Sequence, residues 1–326
     1  MNALPTGGRG PAVGSPGRAL VVVAKRPVDG RTVEVVLARD DGGPLPRWAP
    51  GAHIDLVLPG GLVRPYSLCG DPDDRTSWRL LVRRRPPGQD GKSTSGHVHD
   101  ELRVGDTVHV RGPRDLFGLA TDPRHLFLGA GAGIAPLLPM ARRVRSARIY
   151  PWSLRHLERQ AEPSRLVAEV DSLGPDARTV TDIADIEAAI AAAPPGTAVY
   201  ACGSDRFVAA VRELVPAGAG LALHCQRFAH VRPAAGDLPG CELVLARRGD
   251  RVPVPPGTSV LEALRDAGVD VPLSCGSDVC GACVIPVLDG RVRHRDAVLT
   301  DEERAAGRWI VTCVSGGDSP TLVLDL

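Results

Sequence analysis

The stretch CGSDVCGAC, Cys275 to Cys283, carries three cysteines spaced C-x4-C-x2-C, and Cys313 follows after a further twenty-nine residues. Zinc sites gather thiolates in tight C-x2-C pairs, because four tetrahedral bonds to one ion suit two such turns. Here a single close pair stands with one nearby cysteine and one distant one, the spacing of a plant-type [2Fe-2S] centre. A two-iron rhomb takes two thiolates on each iron, so one loop wraps the cluster and a separate strand supplies the last ligand. Gly276, Ser277, Gly281 and Ala282 are small enough to let that loop fold back and aim amides at sulfur. Cys275, Cys280, Cys283 and Cys313 are therefore the candidate metal ligands. Four structural cysteines or a zinc site is the competing reading, which neither the spacing nor the glycine context favours.

Outward from this loop, the chain of 326 residues is long enough for two or three domains. A net charge of +1 gives no reason to invoke nucleic acid or a membrane surface, and the sparse tryptophans build no stacking platform for single strands. No apolar run approaches the roughly 18 residues that span a bilayer. The opening MNALPTGGRGPAVGSPGR lacks a signal-type apolar core and reads as a flexible tail of a cytoplasmic protein.

From Ala19 to about Val110, the short runs ALVVVAKR, RTVEVVLAR, HIDLVL, WRLLVRRR and DTVHVRG alternate with turn signals, as in an antiparallel barrel or sandwich. The middle changes character. RHLFLGAGAGIAPLLPMARRV reads as a buried strand, a glycine-rich turn and a helix; LRHLERQAEPSRLVAEV and DIADIEAAIAAA read as helical, TAVYACG as a buried strand and DRFVAAVREL as a helix. Strands alternating with helices imply βαβ units and a parallel sheet. VRPAAGDLPG reads as a linker. Beyond it CELVLARRGDRVPVP suggests a hairpin, TSVLEALRDAG a capped short helix, and PTLVLDL a closing strand.

Residues 240–326, with VPLSCGSDVCGAC, DAVLTDEERAAGRW and VTCVS, resemble a plant-type ferredoxin domain. The whole chain after the tail resembles the phthalate dioxygenase reductase and vanillate demethylase reductase family. That resemblance implies a multidomain protein: tail 1–16, antiparallel β-barrel flavin domain 17–118, α/β parallel-sheet nicotinamide domain 119–230, linker 231–239 and an α+β, β-grasp ferredoxin domain 240–326. One departure lies in the cluster loop, where Asp278 stands in place of a glycine two residues before the second cysteine.

RPYSL, Arg64 to Leu68, matches the superfamily's R-x-Y-S/T motif. The resemblance implies that Arg64 binds flavin phosphate, Tyr66 packs on the ring and Ser67 hydrogen-bonds near N5, with Pro65 between them. A guanidinium fork suits phosphate and a tyrosine has a flat face with a polar tip. GKSTSGHVHDEL supplies Gly91, Lys92 and Ser95 as a second phosphate contact, compatible with an ordinary helix cap. Val82 and Arg83 of LLVRRR are placed beside the ring. The domain order implies FMN in preference to FAD.

GAGAGIAP, Gly129 to Pro136, lies between a buried strand and a helix, the setting in which a glycine turn brings backbone amides to a pyrophosphate. Gly131, Gly133 and Pro136 fit the superfamily's G-x-G-x-x-P form, which implies NADH or NADPH as donor. YACGS resembles Y-x-C-G-P, implying Cys202 and Gly203 at the nicotinamide, with Ser204 replacing proline. HCQRF implies Phe228 beside the flavin, with Gln226 replacing a glutamate. RIY reads as the second strand, after which Trp152 stands where relatives carry an arginine for the adenosine ribose or phosphate; Arg155 and Arg159 follow nearby. Cys69, Cys225 and Cys241 show no ligand spacing, and Asp301 to Arg304 reads as a solvated helix start, with part of a docking face for an oxygenase as the alternative reading.

These sites form one device: NAD(P)H gives up two electrons as hydride, a [2Fe-2S] cluster accepts one at a time, and a flavin converts between the two. The expected function is an NAD(P)H-dependent reductase feeding a separate terminal oxygenase, with a Rieske-type partner favoured and a cytochrome P450 as the alternative. A non-catalytic zinc-binding scaffold is the remaining reading, for which the departures at Trp152, Ser204 and Gln226 are the only support.

Overall fold

The computed structural model describes residues 17–58, 62–85, 94–115, 117–148, 150–159, 164–216, 218–227, 238–271, 283–296, 299 and 301–326. They fall into two compact units, Met1–Tyr200 with Val211–Leu223, and Ala201–Ala210 with His224–Leu326.

The first unit opens with strands β1 (Arg18–Asp29), β2 (Thr32–Ala38), β3 (His53–Leu58), β4 (Leu62–Ser67) and β5 (Ser77–Arg83), helix α1 (Thr94–Asp100) and strand β6 (Thr107–Arg114). The sheet order is β4-β3-β6-β1-β2-β5, with antiparallel neighbours. A bridge between Leu68 and Leu80 joins the end of β4 to β5, so the two edge strands meet and the sheet curls toward a barrel. The period-two pattern of the apolar runs sets which side faces in: Leu20 and Val22 of β1 are buried, as are Leu37, Ile54, Leu56, Leu80, Val82 and Val110, while Val23 points out. The five runs legible as strands are five of the six here; the sixth, β4, is the RPYS segment itself.

There follow β7 (Arg124–Ala130), a 3-10 turn at Gly131–Ile134, α2 (Leu137–Ala147), β8 (Trp152–Leu157), α3 (Arg165–Asp171), β9 (Ala177–Val180), α4 (Ile183–Ala191), β10 (Thr197–Gly203), α5 (Asp205–Leu214) and β11 (Ala222–Arg227). The sheet order is β11-β10-β7-β8-β9, and the β7/β8 and β8/β9 pairs are parallel. One sequence expectation is corrected here. LRHL does not open a helix: it belongs to β8, and the helix α3 starts only at Arg165, capped by the Ser164 hydroxyl accepting from the Leu166 amide at 3.2 Å. Nor is RIY the second strand: Arg148 ends α2 in the left-handed region (φ 52°), and the strand begins at Trp152. Leu154 and Leu157 bury against the sheet, and the charged residues between them hid the strand period.

The other unit, which takes in the end of β10, the first part of α5 and most of β11, also contains β12 (Cys241–Leu245), β13 (Arg251–Val254), α6 (Val260–Asp266), β14 (Val284–Asp289), β15 (Val292–Arg293), α7 (Asp301–Ala306), β16 (Trp309–Val311), β17 (Gly316–Gly317) and β18 (Thr321–Leu324). Its main sheet runs β13-β12-β18-β14-β16, with β12 and β18 parallel and the other mapped pairs antiparallel. The β12/β13 hairpin and α6 lie where the sequence places them. Helix α6 carries a capping box, in which Ser259 Oγ accepts from the Glu262 amide at 3.3 Å and Glu262 accepts from the Ser259 amide at 3.1 Å. Its inner face, Val260, Leu261 and Leu264, packs with Leu243, Ile285, Ile310 and Leu322 in one core, the mixed-sheet-and-helix layout of a β-grasp. Among the described residues no helix is long and apolar enough to cross a membrane.

Candidate functional site

Strand β4 holds the RPYS residues in antiparallel register with β3: Arg64 opposite Leu56, Pro65 opposite Asp55, Tyr66 opposite Ile54 and Ser67 opposite His53. Arg64 and Tyr66 are half-buried, Tyr66 packing on the barrel core, and Ser67 is buried. Arg64 Nη1 donates to the Val63 carbonyl at 2.8 Å. The Leu68–Leu80 bridge brings this segment alongside β5, which carries Val82 and Arg83. Val82 is wholly buried, so its backbone is what it can offer a ring, and its carbonyl already accepts from His99 Nε2 at 2.9 Å. Ser95, buried at the start of α1, accepts the Arg85 amide at 2.9 Å and ties that helix to the end of β5. Gly91 and Lys92 lie outside the described residues. A guanidinium, a half-buried phenol and buried hydroxyls around two joined strands are a donor set that fits a flat ring bearing a phosphate.

The glycine turn follows β7 directly. Gly131 has φ +53°, a left-handed conformation that strains any L side chain, and Arg83 Nη1 lies 2.7 Å from where its Cβ would stand, a contact that the flexible arginine can relieve. Gly133 lies within the 3-10 turn, and Pro136 stands immediately before the first residue of α2, where its missing N–H costs nothing. The Gly131 carbonyl lies 3.1 Å from His156 Nε2, which must carry the proton because a carbonyl can only accept. His156 is fully buried, and burial pushes its pKa below the usual histidine value. Behind it Glu158, also buried, accepts from the Ser164 hydroxyl at 2.8 Å and amide at 3.2 Å. This buried polar set was missed in the sequence; a histidine and a glutamate at alternate positions of a strand are its only signal.

The β7/β8 ladder pairs His125 with Trp152 and Ala130 with Leu157. Trp152 is therefore five residues, about 17 Å, from the end of β8 that adjoins the glycine turn. It lines a cavity of about 190 Å³ with Arg124, Arg155 and Thr197 at the opposite end of the strands. The expectation that Trp152 replaces the adenosine-contacting arginine is thus corrected: the residues that leave β8 beside the turn are Glu158 and the exposed Arg159.

In the other unit Cys202 is fully buried, and burial, with Cys225 adding to it, pushes its thiol well above the usual range. Its sulfur lies 3.9 Å from Gln226 Oε1. Gly203 ends β10, and Ser204 replaces proline usefully: its hydroxyl accepts the Phe207 amide at 3.3 Å and caps α5. Phe228 lies outside the described residues.

Of the four candidate ligands, Cys283 and Cys313 are described, both buried. The β14/β16 ladder pairs Val284 with Val311, and Thr312 donates to the Cys283 carbonyl through its amide at 3.2 Å and its hydroxyl at 3.0 Å. The strand ends thus bring the third and fourth cysteines together in a buried setting, a soft-thiolate environment that suits an iron–sulfur group. Cys275, Cys280 and Asp278 lie outside the described residues. Close by, buried Asp296 accepts from the Leu299 amide at 2.9 Å and from the Ser315 hydroxyl at 3.4 Å, and its carbonyl accepts from Arg304 at 2.6 Å. Among the remaining cysteines Cys69 is buried, with burial raising its thiol to about 12, while Cys225 and Cys241 are half-buried.

Residues 45–118 match the family described as oxidoreductase FAD-binding domain, and residues 244–316 the 2Fe-2S iron-sulfur cluster binding domain. A phenoxybenzoate dioxygenase subunit beta of Ectopseudomonas oleovorans is 38% identical over 299 residues, covering 89% of this chain and 90% of its own. The solved phthalate dioxygenase reductase superposes with a TM-score of 0.65 at 31% identity, covering 95% of this chain and 98% of that one. A full-length cytochrome P450 of Tepidiphilus thermophilus reaches a TM-score of 0.79 at 35% identity over 95% of this chain, which spans only 42% of that longer protein. The barrel, parallel-sheet and ferredoxin-like parts, in that order, with relatives this similar over nearly the whole length, place the chain in the family of phthalate dioxygenase reductase and vanillate O-demethylase oxidoreductase.

Proposed function

We propose that this chain is a cytoplasmic NAD(P)H-dependent reductase that passes electrons by way of FMN and a [2Fe-2S] cluster to a separate terminal oxygenase of the Rieske type. The observation that carries this reading is that one chain combines the RPYS strand, the glycine turn and the paired buried cysteines Cys283 and Cys313. Arg64 and Ser95 would hold the flavin phosphate, with Gly91 and Lys92; Tyr66, Ser67, Val82 and Phe228 would border the ring. Gly131, Gly133 and Pro136 would shape the nucleotide cradle, Arg159 would face the adenosine end, and Cys202 and Gly203 the nicotinamide. The four cysteines would hold the cluster.

When bound, these groups supply the conversion of a two-electron donor into one-electron deliveries. The chain's own residues bind, orient and exclude water. Burial keeps the Cys202 thiol protonated at neutral pH, so it offers a neutral surface and no competing nucleophile.

The test is an anaerobic visible spectrum of the purified protein during addition of NADH and, separately, NADPH, with the flavin released afterward and identified by mass. Flavin and iron–sulfur bands that bleach with one nucleotide support the reading; a colourless protein with stoichiometric zinc sinks it. Cys280→Ser is expected to leave flavin reduction by nucleotide while abolishing delivery to a one-electron partner. The similarity to self-sufficient P450s favours a second reading, in which the oxygenase is a cytochrome P450. Reconstitution with each oxygenase class and measurement of substrate-coupled turnover separates the two.

A further inference from the structure

We infer that Asp296 is the positioning residue of the cluster's fourth ligand: it clasps the turn that presents Cys313, and its buried carboxylate together with Arg304 sets the charge felt there. The inference rests on the reductase reading for the presence of the cluster and adds to it a residue that is not a ligand.

The turn at Cys313 is tight. The Val311 carbonyl accepts the amides of both Val314, at 3.3 Å, and Ser315, at 3.0 Å, so Cys313 stands inside the bend. Before the cysteine, Thr312 is tied to the Cys283 carbonyl, and its own carbonyl accepts the Leu261 amide of α6 at 2.9 Å. After the cysteine the tie is Ser315, wholly buried, whose hydroxyl accepts the Arg295 amide at 3.2 Å and donates to Asp296 Oδ1 at 3.4 Å. The β15/β17 ladder, with Arg293 opposite Gly316, brings these two segments together. Asp296 is buried and anchored in turn. Its Oδ2 accepts the Leu299 amide at 2.9 Å, and Arg304 of α7 donates to its carbonyl at 2.6 Å while lying 3.8 Å from Oδ2. His294 Nδ1 lies 3.4 Å from Oδ1.

Stability alone gives no reason to bury this pair, because desolvating two charges offsets most of their attraction and apolar replacements are often as stable. A cluster gives it one. An iron–sulfur group gains negative charge on reduction, and its potential follows the net charge, hydrogen bonding and burial around the sulfurs. Charges in a protein interior are also poorly screened. Asp296 therefore opposes reduction and Arg304 favours it, while the clasp through Ser315 fixes the direction from which Cys313 approaches its iron, as outer residues do for metal ligands.

The test uses the full chain loaded with flavin and cluster, at about pH 8, above the ordinary histidine range. Bound flavin, measured in each variant, reports that the rest of the chain is folded. Asp296→Asn, close in shape, is expected to shift the cluster's midpoint potential upward, and Arg304→Gln to shift it downward. A purely structural disturbance would not give opposite signs. Ser315→Ala keeps both charges and loosens the turn: the electron paramagnetic resonance spectrum of the reduced cluster should change and iron should pass to a chelator several-fold faster, with a smaller change in potential. An unchanged potential in Asp296→Asn, or shifts of the same sign in the two charge variants, overturns the inference. If Asp296→Asn takes up no cluster, the other two variants decide: an unchanged potential in Arg304→Gln together with a wild-type spectrum and iron-release rate in Ser315→Ala overturns it. Wild-type protein with no [2Fe-2S] signal would instead sink the reductase reading itself.

Discussion

Arg79 of β5 forks onto Glu169 of α3, Nη1 to Oε1 at 2.6 Å and Nη2 to Oε2 at 2.8 Å, while its Nε holds Glu34 of β2 at 2.5 Å. Arg142 of α2 shares Glu169 and also donates to the Cys69 carbonyl at 3.2 Å. The barrel strand and two helices of the parallel-sheet layer therefore share one ionic knot. Burial alone would raise the Glu169 pKa, but Arg79 and Arg142 hold it below the usual carboxylate range.

Glu169→Gln should cost about 2 kcal/mol, less than a wholly buried pair because the Arg79 and Glu169 side chains keep 19% and 17% of their exposure. Chemical denaturation of the holoprotein measures it. A depressed carboxylate stabilises the fold above its unfolded pKa and loses that contribution as the pH falls through the folded value. The difference between wild type and Glu169→Gln should therefore shrink below about pH 4. A gap that persists there would mean the knot is not the source.

His156 gives a dependence in another window. With its folded pKa lowered by burial, the unfolded chain binds the proton first, so stability falls as the pH drops below about 6.5 and levels off beneath the folded value. His156→Gln keeps a donor for the Gly131 carbonyl and removes that titration. Its melting temperature should be less sensitive to pH between 7 and 5 than wild type, and an identical slope would count against a buried neutral histidine.

Gly131→Ala combines a φ of +53° with a Cβ 2.7 Å from Arg83. Stopped-flow reduction by NAD(P)H should show kcat/KM lower by about tenfold or more, with flavin content retained. Unchanged reduction would mean that the turn does not meet the nucleotide.

Cys313→Ser removes one thiolate from the pair that β14 and β16 bring together. The iron–sulfur absorption should be lost or strongly altered, with reduction of the flavin by nucleotide still observed. An unchanged spectrum would exclude Cys313 as a ligand.

Much of this was legible because short apolar runs with period two declare their buried face, as Leu20 and Val22 do, and because a glycine turn between strand and helix has few other uses. The cysteine spacing similarly pointed to the ferredoxin-like sheet. Strand β8 was not legible: Arg155, His156 and Glu158 gave it a helical appearance, although His156 and Glu158 are buried in a polar network that only tertiary contacts create. The misplacement of Trp152 followed from that error. Arg79 and Glu169, ninety residues apart, carry no local signal of their pairing.

The order of strands in the ferredoxin-like sheet has a bearing on synthesis. β18 is translated after every other strand of that sheet, yet it lies at its centre, parallel to β12 on one side and antiparallel to β14 on the other. Until it leaves the ribosome, the β12/β13 hairpin and the β14/β16 pair have no shared neighbour. The strand ends bearing Cys283 and Cys313 can meet early, but the sheet beneath them closes only once β18 has been synthesised.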